Sequence, residues 1–310
     1  MNITTKRRNF LKTFLATPTL LSSGMLLTPG PLAAHKTVER SVGSKLKVSL
    51  NAYSFNGPLT KKTMTLDDLL EFCAENEFEA VDLTGYYFPG YPAVPEDNYI
   101  FHLKHKAHRL GLDISGTGVK NDFTNPDKKK RKDDIVLVKN WIQVAAKLGA
   151  PVIRIFTGLA IPGGHTWDEV TEWMVEDLKE CAAYGQQHGV FVAIQNHNDF
   201  IKTGEQAQKI IELVNSDWFG LVLDIGSYRT GDAYKEIEQT AKYAVNWQLK
   251  ELMFIDGSEQ KTDLQKVISI IKASGYRGYV PIETLGPGDP KTKVPVFLAE
   301  VRKALALNGM

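Results

Sequence analysis

Four successive apolar runs in the second half of the chain end in side chains that carry oxygen. One ends Gln195-Asn196-His197, the next Asp224-Ile225-Gly226, a third Gln248-Leu249-Lys250-Glu251, and the last Glu283-Thr284. Earlier runs contribute Asn51 and Tyr53, then Asp82, then Arg154. Taken singly, a polar residue at a strand end is commonly a loop cap or a hydrogen-bond anchor. Carboxylates and amides converging from adjacent strands would instead make the oxygen-rich pocket that a hard divalent cation requires. The alternative is a polar network satisfied by water.

The elements that would carry these residues alternate regularly. Strand-like runs at 45–55, 80–83, 113–119, 152–157, 191–195, 220–224, within 245–254 and at 279–283 are each followed by a helix-period segment. Those segments are 66–76, 99–110, 128–148, 167–188, 204–214, 233–243, 263–273 and 294–305. Such alternation predicts parallel strands with crossover helices, and eight units close into a single (β/α)8 barrel. The strands are continuous apolar runs, as expected when both faces of a sheet are covered. A doubly wound open sheet would alternate similarly, but no Gly-rich phosphate loop follows the first strand. In a barrel of this kind the active site forms where strands end and the βα loops begin, which is where the polar residues fall.

The 310 residues carry 37 basic and 36 acidic side chains, for a net charge of +1. That balance gives no reason to expect a nucleic-acid partner. Cys73 and Cys181 both fall in helical patterns and read as buried thiols, without a disulfide framework. The run 128–132 reads as a solvated helix start. The N-terminus differs in kind. Lys6-Arg7-Arg8-Asn9-Phe10-Leu11-Lys12 precedes an uncharged apolar run to about Leu27, and Ala33-Ala34 follow. This order is that of an export signal, and the run is shorter than the ~20 residues a membrane span needs. It resembles a twin-arginine signal, with Lys6 where Ser or Thr is usual. The expected organisation is a signal at 1–34, a linker at 35–44 and the barrel at 45–310, in an exported, periplasmic protein with no membrane span after signal removal.

The strand-end motifs resemble those of the xylose isomerase-like TIM barrel family, which includes sugar-phosphate isomerases and epimerases. The likeness rests on Ile194-Gln195-Asn196-His197, similar to the family's Glu-Asn-His, and on Leu223-Asp224-Ile225-Gly226. It also rests on Gln248-Leu249-Lys250-Glu251, similar to His-Leu-Lys-Asp, and on Ile282-Glu283. The resemblance implies a divalent metal among Gln195, Asp224, Gln248 and Glu283. Two of these depart from the family, which has Glu at the first position and His at the third. Two negative charges then remain where the family has three, and the imidazole best suited to zinc is gone. Any metal is expected to be Mg, Mn or Ca, and weakly bound.

The resemblance also implies a pair of glutamates facing opposite sides of the reacting carbon. Gln195 cannot act as a base, because its amide has no accessible proton equilibrium. Two-base epimerisation is therefore put in doubt, and Glu283 is left as the single base for proton abstraction beside a carbonyl. Lys250 is either an electrophile in that scheme or an ion-pair partner of Asp224, Glu251 or Glu283. His197 joins them as the third catalytic candidate.

Arg154, Asn51, Tyr53 and Asp82 are expected to bind substrate. His165 follows Pro162-Gly163-Gly164 and is either a lid over the pocket or part of an exposed loop. His102, His105 and His108 at i, i+3, i+6 mark one polar helix face. Tyr86, Tyr87, Phe88 and Tyr91 either stack on a sugar ring or form a small core beneath their loop.

The expected function is an exported sugar isomerase, or a related lyase, acting on a small sugar substrate. The alternative is a catalytically reduced barrel that binds a sugar or a protein partner. An abasic-site nuclease of the same fold would need a histidine-rich zinc cluster, and this chain lacks the histidines for one.

Overall fold

The computed structural model describes residues 46–310; the expected export signal and linker lie outside them. The strands of the barrel are β1 (Lys47–Asn51), β2 (Ala80–Thr84), β3 (Asp113–Gly118), β4 (Val152–Ile155), β5 (Phe191–Gln195), β6 (Phe219–Asp224) and β7 (Ala244–Lys250). A two-stranded hairpin follows, β8 (Leu252–Ile255) and β9 (Ser258–Lys261), and then the last barrel strand, β10 (Tyr279–Glu283). The helices are α1 (Asn56–Thr60), α2 (Leu66–Glu75), α3 (Asp97–Arg109), α4 (Lys128–Leu148), α5 (Trp167–His188), α6 (Gly204–Val214), α7 (Ala233–Thr240), α8 (Leu264–Ala273) and α9 (Pro290–Leu307).

Eight strands close in the order β1-β10-β7-β6-β5-β4-β3-β2, every pairing parallel. This is the TIM barrel expected from the alternation. Helix boundaries follow local capping chemistry. Thr65, Thr166 and Thr203 each form a reciprocal capping box, with Asp68, Glu169 and Gln206 at the third helical position. Gly149 and Gly189 end α4 and α5 at positive φ, which a side chain resists. Among the described residues no helix is long and apolar enough to cross a membrane.

Side chains alternate along each strand, so residues two apart face the same way. Val152, Ala193 and Val222 form a small apolar cluster of their own. Each lies two positions before a polar strand end: Arg154, Gln195 and Asp224. The main core, between strands and helices, is separate. Small apolar side chains thus sit beneath those three polar residues, while between β1 and β3 Ser49 Oγ meets Ser115 Oγ at 2.6 Å.

Three segments depart from expectation. The first strand stops at Asn51, whose Oδ1 accepts the Tyr53 N–H at 2.8 Å and starts a 3-10 turn over Ala52–Phe55. The seventh unit carries the unforeseen β8–β9 hairpin. Its two-residue turn, Asp256-Gly257, has positive φ at both positions, as a tight hairpin requires. Within the basic run opening α4, Arg131 is not solvated: its Nε donates to Asp177 at 2.6 Å and its guanidinium lies over Trp173. Cys73 and Cys181 are buried free thiols, and burial pushes both thiols up.

Candidate functional site

A cavity of about 920 Å³ opens at the C-terminal ends of the strands. Gln195, Asp224, Gln248, Lys250 and Glu283 lie on its wall, all buried and contributed by four adjacent strands. The sheet register sets Lys250 beside Glu283 and Gln248 beside Asp224. Gln248 and Lys250 are two apart on β7, so one strand supplies both an amide and an ammonium on the same face.

The five side chains form a closed chain of contacts. Gln195 Nε2 donates to Asp224 Oδ2 at 2.8 Å and to Gln248 Oε1 at 2.6 Å. Gln248 Nε2 donates to Glu283 Oε2 at 2.7 Å. Lys250 Nζ bridges the two carboxylates, 2.9 Å from Glu283 Oε1 and 3.3 Å from Asp224 Oδ2. Carboxylates only accept, so the amides must turn their nitrogens toward them. Burial alone would depress the Lys250 ammonium, but Asp224 and Glu283 beside it hold its pKa above the usual range. The alternative left open for Lys250, an ion pair, is what the geometry contains, with both carboxylates as partners; Glu251 pairs with Lys293 instead. Behind this group Asn196 clamps β5 to β6, donating to Asp224 O at 2.9 Å and accepting from Asp224 N at 2.8 Å.

The opposite wall is built differently. Arg154 Nη1 donates to Val119 O at 3.0 Å, and Nη2 donates to the Tyr86 hydroxyl. Its guanidinium stacks 4.2 Å from the Phe156 ring centroid. Among the described residues Arg154 makes no ion pair. Burial works against its charge, while Tyr86, Asp82 and Glu283 raise its pKa. Asp82 is buried too, and burial pushes its carboxyl up to about 6, against the pull of Arg154 and with a further push from Glu283.

Strand β3 makes room for both groups by carrying glycine where they lie. A Cβ on Gly116 would fall 2.6 Å from Asp82 Oδ2, and one on Gly118 2.9 Å from the Arg154 guanidinium. Neither glycine stood out in the sequence, although two glycines inside a predicted strand signal a close approach.

The other expected residues divide. Asn51, Tyr53 and His197 line the cavity. His197 does so from an exposed position, its Nδ1 2.7 Å from Asp199 Oδ2 and its ring edge-on to Phe156. Asp82 lies behind the wall rather than on it. His165 is not brought to the cavity: it packs edge-on against Trp173, 3.8 Å from Glu169 on its own segment. The aromatic loop divides between the cavity and a small core of its own. Tyr86 and Tyr91 face the cavity, while Phe88 is buried against Trp141 and Tyr99. His102 lies on the outer face of α3, 2.6 Å from Asp67.

The sequence profile of a family described as xylose isomerase-like TIM barrel matches residues 70–301. The chain belongs to that family. An inosose isomerase of Halalkalibacterium halodurans is 24% identical over 250 residues, covering 75% of this chain and 87% of that protein. Among solved structures, 3-keto-D-glucoside 4-epimerase from E. coli superposes with a TM-score of 0.68 at 14% identity, over 84% of this chain and all of that one. A zinc-bound IOLI protein superposes at 0.67 and 18% identity, over 85% of this chain and 98% of that one. These structural likenesses carry the fold.

Because members of the xylose isomerase-like family hold a divalent ion, as the IOLI protein does, the four expected ligands can be tested for fit. They converge as the resemblance implies, but as they stand they do not suit a divalent cation. The two amides turn nitrogen toward the carboxylates, and both carboxylates are already bridged by an ammonium. Among the described residues, no three histidine, cysteine or carboxylate side chains come together as a metal would require.

Proposed function

We propose that this chain is an exported isomerase, or a related lyase, acting on a small polyhydroxylated carbonyl compound by removing a proton beside the carbonyl. The observation that carries this reading is the pairing of Glu283 with Lys250 on the wall of a cavity of about 920 Å³. A carboxylate next to an ammonium is the minimum equipment for enolisation. The carbonyl oxygen of the substrate replaces Glu283 Oε1 as an acceptor for Lys250. That frees a Glu283 lone pair to take the proton from the neighbouring carbon. The C–H electrons form the new C=C bond, and the carbonyl π pair moves to oxygen, where the ammonium stabilises the charge. The enolate oxygen then takes a proton from the Lys250 ammonium, which is reprotonated by the hydroxyl on the deprotonated carbon. That hydroxyl oxygen becomes the new carbonyl as the C=C pair takes the proton back from Glu283 at the former carbonyl carbon, which gives the isomer.

Arg154, Asn51 and Tyr53 bind substrate hydroxyls in this reading, and Tyr86, Tyr91 and Phe156 supply apolar surface for the ring. His197, exposed and paired with Asp199, contacts the outer end of the substrate. The name borne by the curated relative makes inososes, which are cyclic polyhydroxy ketones, the first compounds to try. The divalent ion expected from the resemblance has no step in this scheme. Export rests on the segment from Lys6 to Ala34, and the periplasm as destination on the likeness of that segment to a twin-arginine signal.

Turnover of inososes and keto-sugars by the wild type and by Glu283→Gln tests the proposal. A loss of at least ~10²-fold in kcat is expected for removal of a general base; unchanged turnover would refute it. One observation favours a second reading, a barrel that binds a sugar without converting it. Both Glu283 oxygens are engaged, by Lys250 and by Gln248. Ligand-dependent rises in Tm with no turnover across the same compounds would decide for that reading.

A further inference from the structure

We propose that this barrel has given up the divalent ion of its family: Gln195 and Gln248 are the residues that exclude a metal, and the Lys250 ammonium, which the family motif also carries, is left to act alone as the cation between Asp224 and Glu283. The inference deepens the reading of the cavity given above. Its test does not depend on which compound is turned over, so the two can fail separately.

Stereochemistry disfavours a divalent ion here. A hard divalent ion needs oxygen lone pairs aimed at one point. Here Gln195 spends both amide hydrogens on ring members, one on Asp224 and one on the oxygen of Gln248. Gln248 thus accepts with its oxygen and donates with its nitrogen to Glu283. Turning the amide oxygens inward would face them with carboxylate oxygens that have no proton to give. A metal could enter only by breaking the three amide hydrogen bonds and both Lys250 contacts.

Charge disfavours one as well. Asp224 and Glu283 supply two negative charges, and Lys250 already lies within 3.3 Å of both. Adding two positive charges beside a retained ammonium, with Arg154 and Asp82 offsetting each other on the opposite side, leaves the buried site with an excess of positive charge. Such an excess is costly away from water. The family's Glu and His at these two positions would change both conditions. Glu at 195 restores a third carboxylate and cannot donate to Asp224. His at 248 offers a ring nitrogen as a ligand in place of an amide that donates to Glu283.

The chemical consequence is a softer electrophile. An ammonium can stabilise an enolate oxygen and can also give it a proton, whereas a metal ion only polarises it. Substrates bind through one directed N–H rather than through two oxygens chelated to an ion. Ligands that act by chelation, such as hydroxamates, are therefore expected to bind poorly.

The test uses the full chain purified without chelator. Metal content is measured by mass spectrometry, and Mn²⁺ and Zn²⁺ are titrated by calorimetry into the wild type and into a Gln195→Glu, Gln248→His variant. The wild type is expected to carry far less than one ion per chain. The variant is expected to bind one ion at least ~100-fold more tightly than the wild type, the order of change that ligand-shell substitutions produce. A wild type that holds one tightly bound divalent ion overturns the proposal. So does a folded double variant that gains no affinity, because the glutamines would then not be what excludes the metal. The wild-type measurement needs no variant, so misfolding of the substituted chain leaves the claim open to refutation.

Discussion

The two walls of the cavity differ in whether their polar groups are satisfied. On the arc β5-β6-β7-β10, Gln195, Asp224, Gln248, Lys250 and Glu283 complete one another. On the arc β2-β3-β4, Arg154 has a carbonyl, a phenol and an aromatic face but no ion pair among the described residues. The carboxyl that does most to favour its charge, Asp82, is itself pushed by burial to a pKa of about 6. A buried, satisfied network contributes to holding one native arrangement. A buried guanidinium with spare donors is poised for a ligand. The first arc reads as a rigid reacting centre, and the second as the place where the substrate's oxygens are received.

That contrast can be broken experimentally. The largest effect is expected on the satisfied side. Lys250→Met leaves Asp224 and Glu283 facing each other without their shared cation, and the fold should lose about 3–5 kcal/mol in denaturant titration. A loss near zero would mean the ammonium is dispensable to the fold. On the open side the effect should fall on binding. Arg154→Met is expected to raise KM about 10- to 100-fold, the worth of a hydrogen bond from a charged donor, with a much smaller change in kcat. A change confined to kcat would move Arg154 to the reacting centre.

The smallest effect depends on pH. The Asp82 carboxyl titrates higher in the folded chain than in the unfolded one, so the fold binds its proton more tightly. Below about pH 4 both states are protonated and Asp82→Asn should change little. Above about pH 6 both are ionised, and the wild type bears the full cost of a buried charge. The variant should then be more stable than the wild type by on the order of 2 kcal/mol at pH 8, with the difference developing between those limits. A constant difference across pH would mean that Asp82 keeps its ordinary pKa.

Much of this was legible before the structure. Buried parallel strands are continuous apolar runs, so the polar residues closing them stood out, and barrel topology explains why Gln195, Asp224, Gln248 and Glu283 converge. The direction of each amide was not legible. It depends on which neighbour can accept, and that neighbour comes from a different strand. The room for Asp82 and Arg154 was equally hidden, because Gly116 and Gly118 act through the absence of side chains on a face that only barrel closure defines. His165 shows another limit: a position after a strand end does not determine which way its loop folds, and of the lid and the exposed loop left open the structure has the exposed loop, with His165 packed on Trp173. The β8–β9 hairpin had a readable sign in Asp256-Gly257, masked by an exposed, polar second strand without alternation.

Proton transfer by Glu283 beside Lys250 is the central step. The most direct measurement is solvent deuterium exchange, followed by NMR, into the C–H positions beside the carbonyl of inososes and keto-sugars in metal-depleted buffer. The wild type is expected to exchange such a position, with Glu283→Gln at least ~10²-fold slower. Exchange by Glu283→Gln at the wild-type rate, or exchange by the wild type only after a divalent ion is added, would contradict it.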